Sequence, residues 1–210
     1  MVGWNEDEYT FMAWEMKDSK SFSIDFDQLQ SRLESRFGKD ARTIISMYRK
    51  AMPGASAPDI LVAVSSMAMM GLGSVEIAER KARQNGAPAY LYNFGYKSEV
   101  KIPGTDYALG TPHAMDIRFK FYNEDLPRDE SQPESGFGGN RPERFTASRN
   151  MAEFWTSFAR TGKPSAAEAP DWPAYNLHDR PTMRIDAKCE VIHNRYSIEL
   201  DMWNSIGKLT

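Results

Sequence analysis

The sequence predicts an α/β protein, and three patterns support this prediction. Apolar residues recur at helical spacing in several segments before residue 86. The segment 89–94 is short, rich in aromatic residues and apolar at both odd and even positions, which is typical of a parallel strand buried on both faces. Segments 183–185 and 190–192 are patterned as a pair of short strands. One buried strand cannot form a parallel sheet alone, so we expect most of the sheet to lie upstream of residue 1.

Four helices are predicted before residue 86, each from an apolar stripe and its end signals. Their predicted ranges are 25–37, 40–51, 56–70 and 74–84. Ser56, followed by Pro58 and Asp59, has the chemistry of a helix N-terminus. Gly71 and Gly73 are expected to break the third helix from the fourth.

The rest of the chain is predicted from composition and turn signals. Residues 2–4 could finish a strand, and residues 5–8 have the composition of a carboxylate-rich turn. The remaining predictions are a loop at 95–112, a short strand or helical turn at 116–121, a long surface loop at 123–144, a helix through 151–158 that ends at Gly162, and a final helix near 196–206.

Composition and charge exclude several classes of function. The chain has 210 residues and a net charge of −3, with no basic block, so nucleic acid and anionic membrane surfaces are not expected partners. The longest apolar-rich stretch, 60–73, is shorter than the roughly 18–20 residues that a bilayer requires. One cysteine allows no intrachain disulfide and no cysteine-built zinc site. The acidic N-terminus does not resemble a signal peptide, and we favour a soluble, cytoplasmic protein.

The candidate catalytic side chains are few, and each has a simpler structural interpretation. His113 lies in the loop sequence L-G-T-P-H-A-M-D, where a lone histidine is more often a surface or capping residue than a proton carrier. The acidic cluster, residues 6–8, is more often a solvated face than a group that orients a histidine. His178 and His193 are predicted turn residues.

No nucleophile is evident in the chain. The G-A-S-A-P segment around Ser56 lacks the last glycine of a serine elbow and follows a helix rather than a strand. Ser56 is better explained as a helix cap, and Cys189 as a buried thiol. No ligand spacing indicates a metal.

Six segments in order resemble the type-B carboxylesterases, which include the cholinesterases and the bacterial para-nitrobenzyl esterases. The segments are G-W-N-E-D-E (3–8), A-P-A-Y-L-Y-N-F (87–94), L-G-T-P-H-A-M-D-I-R-F-K-F (109–121), F-W-T-S-F-A-R-T-G-K-P (154–164), W-P-A-Y (172–175) and M-W-N (202–204). Tyr9 and Ala114 stand where the family usually has glycine. Residues 10–85 match only in general helical character.

The resemblance implies the C-terminal part of an α/β-hydrolase fold, with residues 1–210 as a single incomplete domain. In the family the catalytic order is Ser, Glu, His, and this chain begins near the Glu. The resemblance makes Glu8 the triad acid and His113 the base, with the serine and the oxyanion loop absent. Asp116 could anchor the histidine loop or cap a helix, and we favour the cap. No metal or organic cofactor is implied, and the substrate would be a small carboxylic ester.

Two functions remain open from the sequence. The chain is either an esterase portion that requires an upstream half or a catalytically silent module used for binding or assembly. A serine elbow in the reading frame upstream of Met1 would favour the first. We also expect the chain to self-associate through surfaces that a split sheet would expose.

Overall fold

The computed structural model describes residues 1–129 and 131–207. The strands are β1 (Val2–Asn5), β2 (Leu91–Phe94), β3 (Ser98–Lys101), β4 (Ala108–Gly110), β5 (Thr182–Ile185) and β6 (Glu190–Ile192). The helices are α1 (Glu8–Glu15), α2 (Phe26–Phe37), α3 (Ala41–Ala51), α4 (Ala57–Ser66), α5 (Leu72–Arg83), α6 (Met115–Lys120), α7 (Glu143–Thr161) and α8 (Ser197–Ser205).

The main sheet has the order β1-β2-β5-β6. Strands β1, β2 and β5 are parallel, and β6 is antiparallel to β5. The buried parallel strand and the 183–185/190–192 pair are therefore confirmed. A sheet split upstream of residue 1 would deprive the strand at 89–94 of a neighbour, but β2 pairs on both sides within this chain, so this part of the expectation is wrong. Among the described residues, β1 and β6 are the two edge strands of this sheet.

Helices cover both faces of the sheet, because successive strand residues point to opposite sides. On one face, Trp4 and Leu91 pack with side chains from α2 to α5 and from α8. On the other face, Tyr92, Phe94 and Ile185 pack with side chains from α6 and α7. The result is a three-layer α/β arrangement.

Residues 57–83 form one continuous helical stretch, which the two glycines do not break. A π-helical segment, Met67–Gly71, joins α4 to α5. Gly71 packs against the ring of Trp4 on β1, and an added Cβ would lie 3.3 Å from that ring, which is closer than an ordinary contact. The glycine therefore allows the helix to approach the sheet. By length and composition this 27-residue helix could cross a membrane, contrary to our estimate of its apolar length, but here its apolar side chains supply much of the core.

Other predictions require correction where pairing or capping is not local. Residues 95–112 contain the antiparallel hairpin β3–β4 rather than a loop. The 5–8 segment is not all turn, since α1 begins at Glu8. For residues 116–121 the helical alternative is the correct one, because most of them lie in α6. The predicted loop 123–144 contains a short 3-10 helix, Pro133–Gly136, and α7 begins at Glu143; residue 130 lies outside the described residues.

Candidate active site

The acidic side chain of the candidate site is buried at the start of α1. Strand β1 ends at Asn5, the chain turns through residues 6 and 7, and Glu8 begins the helix. Glu8 is only 3% exposed. The backbone N–H of Asn5 donates to Glu8 Oε1 at 2.7 Å, which fixes one carboxylate oxygen and leaves the other available to a second partner.

His113 supplies that second partner across 105 residues of sequence. Its Nδ1 lies 2.6 Å from Glu8 Oε2. The loop that carries His113 follows β4, and its turn uses left-handed backbone at Gly110 and Ala114, both with φ of 67°. An ionised carboxylate can only accept, so a neutral imidazole here donates from Nδ1 and carries its lone pair on Nε2.

The histidine is accessible where its acid is not. The His113 side chain is 38% exposed, against 3% for that of Glu8. Among the described residues, Nε2 of His113 has no protein hydrogen-bond partner. A ring held at Nδ1 by a buried carboxylate and open at Nε2 is the arrangement that a general base requires.

Burial raises the pKa of Glu8 above its ordinary value. The hydrogen bonds from the Asn5 backbone and from His113 act in the opposite direction, and the nearby Asp116 charge adds to the increase. Desolvation changes the pKa of Glu8 more than these hydrogen bonds do. The ionised form of Glu8 therefore depends on its two donors for stabilisation.

Asp116 anchors the site rather than capping α6. The residue at the N-cap position is Ala114, and no side chain caps this helix, so the favoured cap interpretation is wrong. Asp116 Oδ1 accepts from Asn5 Nδ2 at 3.2 Å, and the other oxygen pairs with Lys120 one turn further along α6. Asp116 thus connects α6 to the end of β1, close to Glu8.

The acidic cluster 6–8 was expected to be a solvated face, and this prediction is wrong. Glu6 pairs with Arg195 at 3.1 Å, and its other oxygen faces Lys97 and Arg184. Asp7 pairs with Lys97 at 2.5 Å. Glu6 and Asp7 therefore pair with basic side chains and share Lys97, whereas Glu8 is the member of the cluster that contacts a histidine.

The other candidate nucleophiles and bases have structural roles. Ser56 caps α4 in a reciprocal bond with Asp59, as predicted. His178 and His193 lie in turns, as predicted, and the His178 side chain is 94% exposed. In residues 1–129 and 131–207, no group of three or more His, Cys, Asp or Glu side chains could hold a metal ion.

A cavity of about 750 Å³ opens beside the acid turn but does not include the pair. Its wall combines the ion pairs of Glu6, Asp7, Lys97 and Arg195 with aromatic side chains such as Tyr196. Neither Glu8 nor His113 lines this cavity. The acid–histidine pair therefore lies outside this cavity.

Cys189 should react slowly with alkylating agents in the folded chain. It is a buried free thiol whose Sγ donates to the Asp186 carbonyl, and burial raises its pKa to about 11. Little thiolate therefore exists near pH 7. We expect iodoacetamide to modify Cys189 at least about tenfold more slowly in native protein than in urea-unfolded protein, measured by intact mass. Equal rates would show that the thiol is exposed and reactive.

The fold and the acid–histidine pair define a recognisable class of protein. Parallel strands with helices on both faces, and an acid and a histidine following neighbouring strands, are the features of an α/β-hydrolase, and this chain has part of that fold. The chain belongs to the carboxylesterase family, whose sequence model matches residues 1–203.

Individual relatives agree with this membership. The carboxylesterase of Geobacillus stearothermophilus, a solved structure, is 28% identical with a TM-score of 0.73 and covers 96% of this chain. Phenmedipham hydrolase of Pseudarthrobacter oxydans is 29% identical over 85% of this chain, and human carboxylesterase 5A is 30% identical over 61%. The matched part is 39%, 34% and 22% of those proteins, respectively, so this chain spans well under half of each.

Proposed function

We propose that this chain supplies the general base and its acid partner for a serine carboxylic-ester hydrolase. His113 is the base and Glu8 the acid, and the serine nucleophile and oxyanion donors belong to polypeptide outside this chain. The observation that carries the proposal is the 2.6 Å contact between His113 Nδ1 and the buried Glu8 carboxylate. The substrate class is a small carboxylic ester, and no metal or organic cofactor takes part.

In the proposed reaction, His113 moves one proton in each direction. Nε2 accepts the proton of the serine hydroxyl as the oxygen attacks the ester carbonyl carbon. The imidazolium then gives this proton to the departing alcohol, which leaves an acyl-serine. Water then attacks the acyl carbon while Nε2 accepts one of its protons. The imidazolium returns this proton to the serine oxygen as the carboxylic acid leaves, which restores the free serine. Glu8 remains ionised throughout, accepts from Nδ1–H and stabilises the imidazolium.

The position of the pair supports the proposal that the site is incomplete in this chain and that polypeptide outside the chain completes it. Glu8 follows β1, and His113 lies on the connection that follows β2, at the carboxyl ends of parallel strands where open α/β sheets bind their ligands. The unpaired edge of β1 is a place where further parallel strands can add. We therefore interpret the 210 residues as one incomplete domain.

A chimera tests this proposal. This chain replaces the matched 39% of the Geobacillus carboxylesterase. In the proposal, the remainder of that protein supplies the serine. We expect the chimera to hydrolyse para-nitrophenyl acetate and this chain alone to give only the buffer rate, because it lacks the nucleophile and the oxyanion donors, typically worth about 3–4 kcal/mol. A folded but inactive chimera would favour the silent binding module. Turnover by the chain alone would mean that it contains its own nucleophile.

A further inference from the structure

Asn5 contacts both halves of the candidate site from the last position of β1. Its backbone N–H donates to Glu8 Oε1 at 2.7 Å. Its side-chain amide donates to the carbonyl of Pro112, the residue before His113, also at 2.7 Å. The residue is only 2% exposed. One buried residue therefore fixes the acid through its main chain and the histidine loop through its side chain.

The acceptors around the Asn5 amide determine its orientation. Nδ2 faces the Pro112 carbonyl and Asp116 Oδ1, and both of these groups can only accept. The reversed amide would place its oxygen against two acceptors. Asn5 Oδ1, in turn, is buried without a hydrogen-bond partner. An orphaned carbonyl carries a free-energy penalty, and the two donated bonds offset it.

Other hydrogen bonds between the same segments involve residues that precede the histidine. Asp7 N donates to the Thr111 carbonyl at 3.0 Å, and Thr111 N donates to Asp7 Oδ2 at 2.8 Å. Thr10 Oγ1 donates to the Leu109 carbonyl at 2.8 Å. These bonds hold the start of the histidine loop, whereas the Asn5 side chain holds the peptide unit that carries His113.

We propose that Asn5 is the positioning residue of the acid–histidine pair, setting the distance and angle at which His113 Nδ1 meets Glu8. This inference rests on the proposed function, because it concerns the same two side chains. Asn5 touches no substrate and exchanges no proton. Its effect is that the 2.6 Å contact exists before substrate arrives, with Asp116 holding the Asn5 amide from the side of α6.

The test reads the tautomer of His113 in this chain, without any esterase assay. Long-range ¹H–¹⁵N spectra distinguish Nδ1–H from Nε2–H rings, and the chain has only three histidines, so His113→Gln assigns the signal. We expect a predominant Nδ1–H tautomer in the wild type. In Asn5→Ala the ratio of Nδ1–H to Nε2–H should fall about tenfold, because the Pro112 carbonyl loses its donor and the loop shifts.

The matched control is Asn150→Ala. Asn150 is equally buried, and its Nδ2 donates to two backbone carbonyls, those of Asp186 and Ala187, away from the pair. Both variants should lose stability in urea unfolding, but only Asn5→Ala should change the His113 tautomer. If Asn5→Ala does not fold, Asn5→Ser replaces it, since a serine hydroxyl is too short to reach both acceptors.

The outcomes distinguish failure of the positioning role from failure of the proposed function. A wild-type Nδ1–H tautomer that Asn5→Ala leaves unchanged overturns the positioning role and leaves the proposed function standing. An equal tautomer change in Asn150→Ala also overturns it, because the effect would then follow general destabilisation. A wild-type ring without Nδ1–H preference contradicts the proposed function itself, and the positioning role with it.

Discussion

Replacing His113 by glutamine in the active chimera should lower kcat by about 10⁴-fold, because the serine proton then has no acceptor. KM should change much less, since the ring is not needed to hold the ester. The measurement is initial rates with para-nitrophenyl acetate across a range of ester concentrations. A loss below about tenfold would mean that another group takes the proton and that His113 is not the base.

Glu8→Gln should lower kcat to a similar extent, about 10³–10⁴-fold, although it changes one atom. The Asn5 backbone N–H selects the carbonyl end of the glutamine at the Oε1 position. The amide NH₂ then faces His113 Nδ1 and donates to it, so the ring carries its proton on Nε2. That tautomer cannot accept the serine proton.

A matched control uses the chain's second Asp/Glu–histidine contact. His178 Nδ1 lies 2.8 Å from Asp179 Oδ1, but the His178 side chain is 94% exposed. His178→Gln should leave kcat within about twofold, because an exposed side-chain contact contributes little. A comparable loss from His178→Gln and His113→Gln would show that the assay reports folding rather than proton transfer.

The helices and the central strand could be predicted from local pattern, whereas the pairing around them could not. The segment 25–37 contains its own apolar stripe and its capping residue, so its structure follows from adjacent residues. The pairing of β1 depends on β2, which is distant in sequence, whereas the hairpin β3–β4 is local but its short segments carry little alternation. Gly71 was interpreted as a helix breaker because its close contact with Trp4 is tertiary.

The candidate site shows the same division. A loop histidine and an acidic cluster have no local feature that brings them together, and only the ordered family segments indicated Glu8 and His113. Asn5 was missed although it lies in the G-W-N-E-D-E segment, because its role depends on a carbonyl 107 residues away. The favoured cap role of Asp116 followed from its place before a helical pattern, but its actual partner is at the end of β1.

Gly3→Ala should destabilise the chain by about 3 kcal/mol or more. Gly3 lies opposite Tyr92 in the parallel β1–β2 register. A Cβ there would lie 2.2 Å from the Tyr92 carbonyl oxygen and 2.4 Å from its ring. The obstacle is backbone in a paired strand, so β1 must move away from β2.

That movement should also reach the site, because β1 ends two residues later at Asn5. We expect urea unfolding of Gly3→Ala to show a lower midpoint and the His113 Nδ1–H tautomer to be lost. Gly73→Ala is the control: no atom lies within 4 Å of its added Cβ, and alanine favours the helix by about 0.5–1 kcal/mol. Its midpoint should rise and its tautomer stay unchanged. If Gly3→Ala instead matches the wild type in both measurements, β1 does not lie against β2 at this register. The inference that a shift of β1 disturbs the contact between Glu8 and His113 would then be wrong.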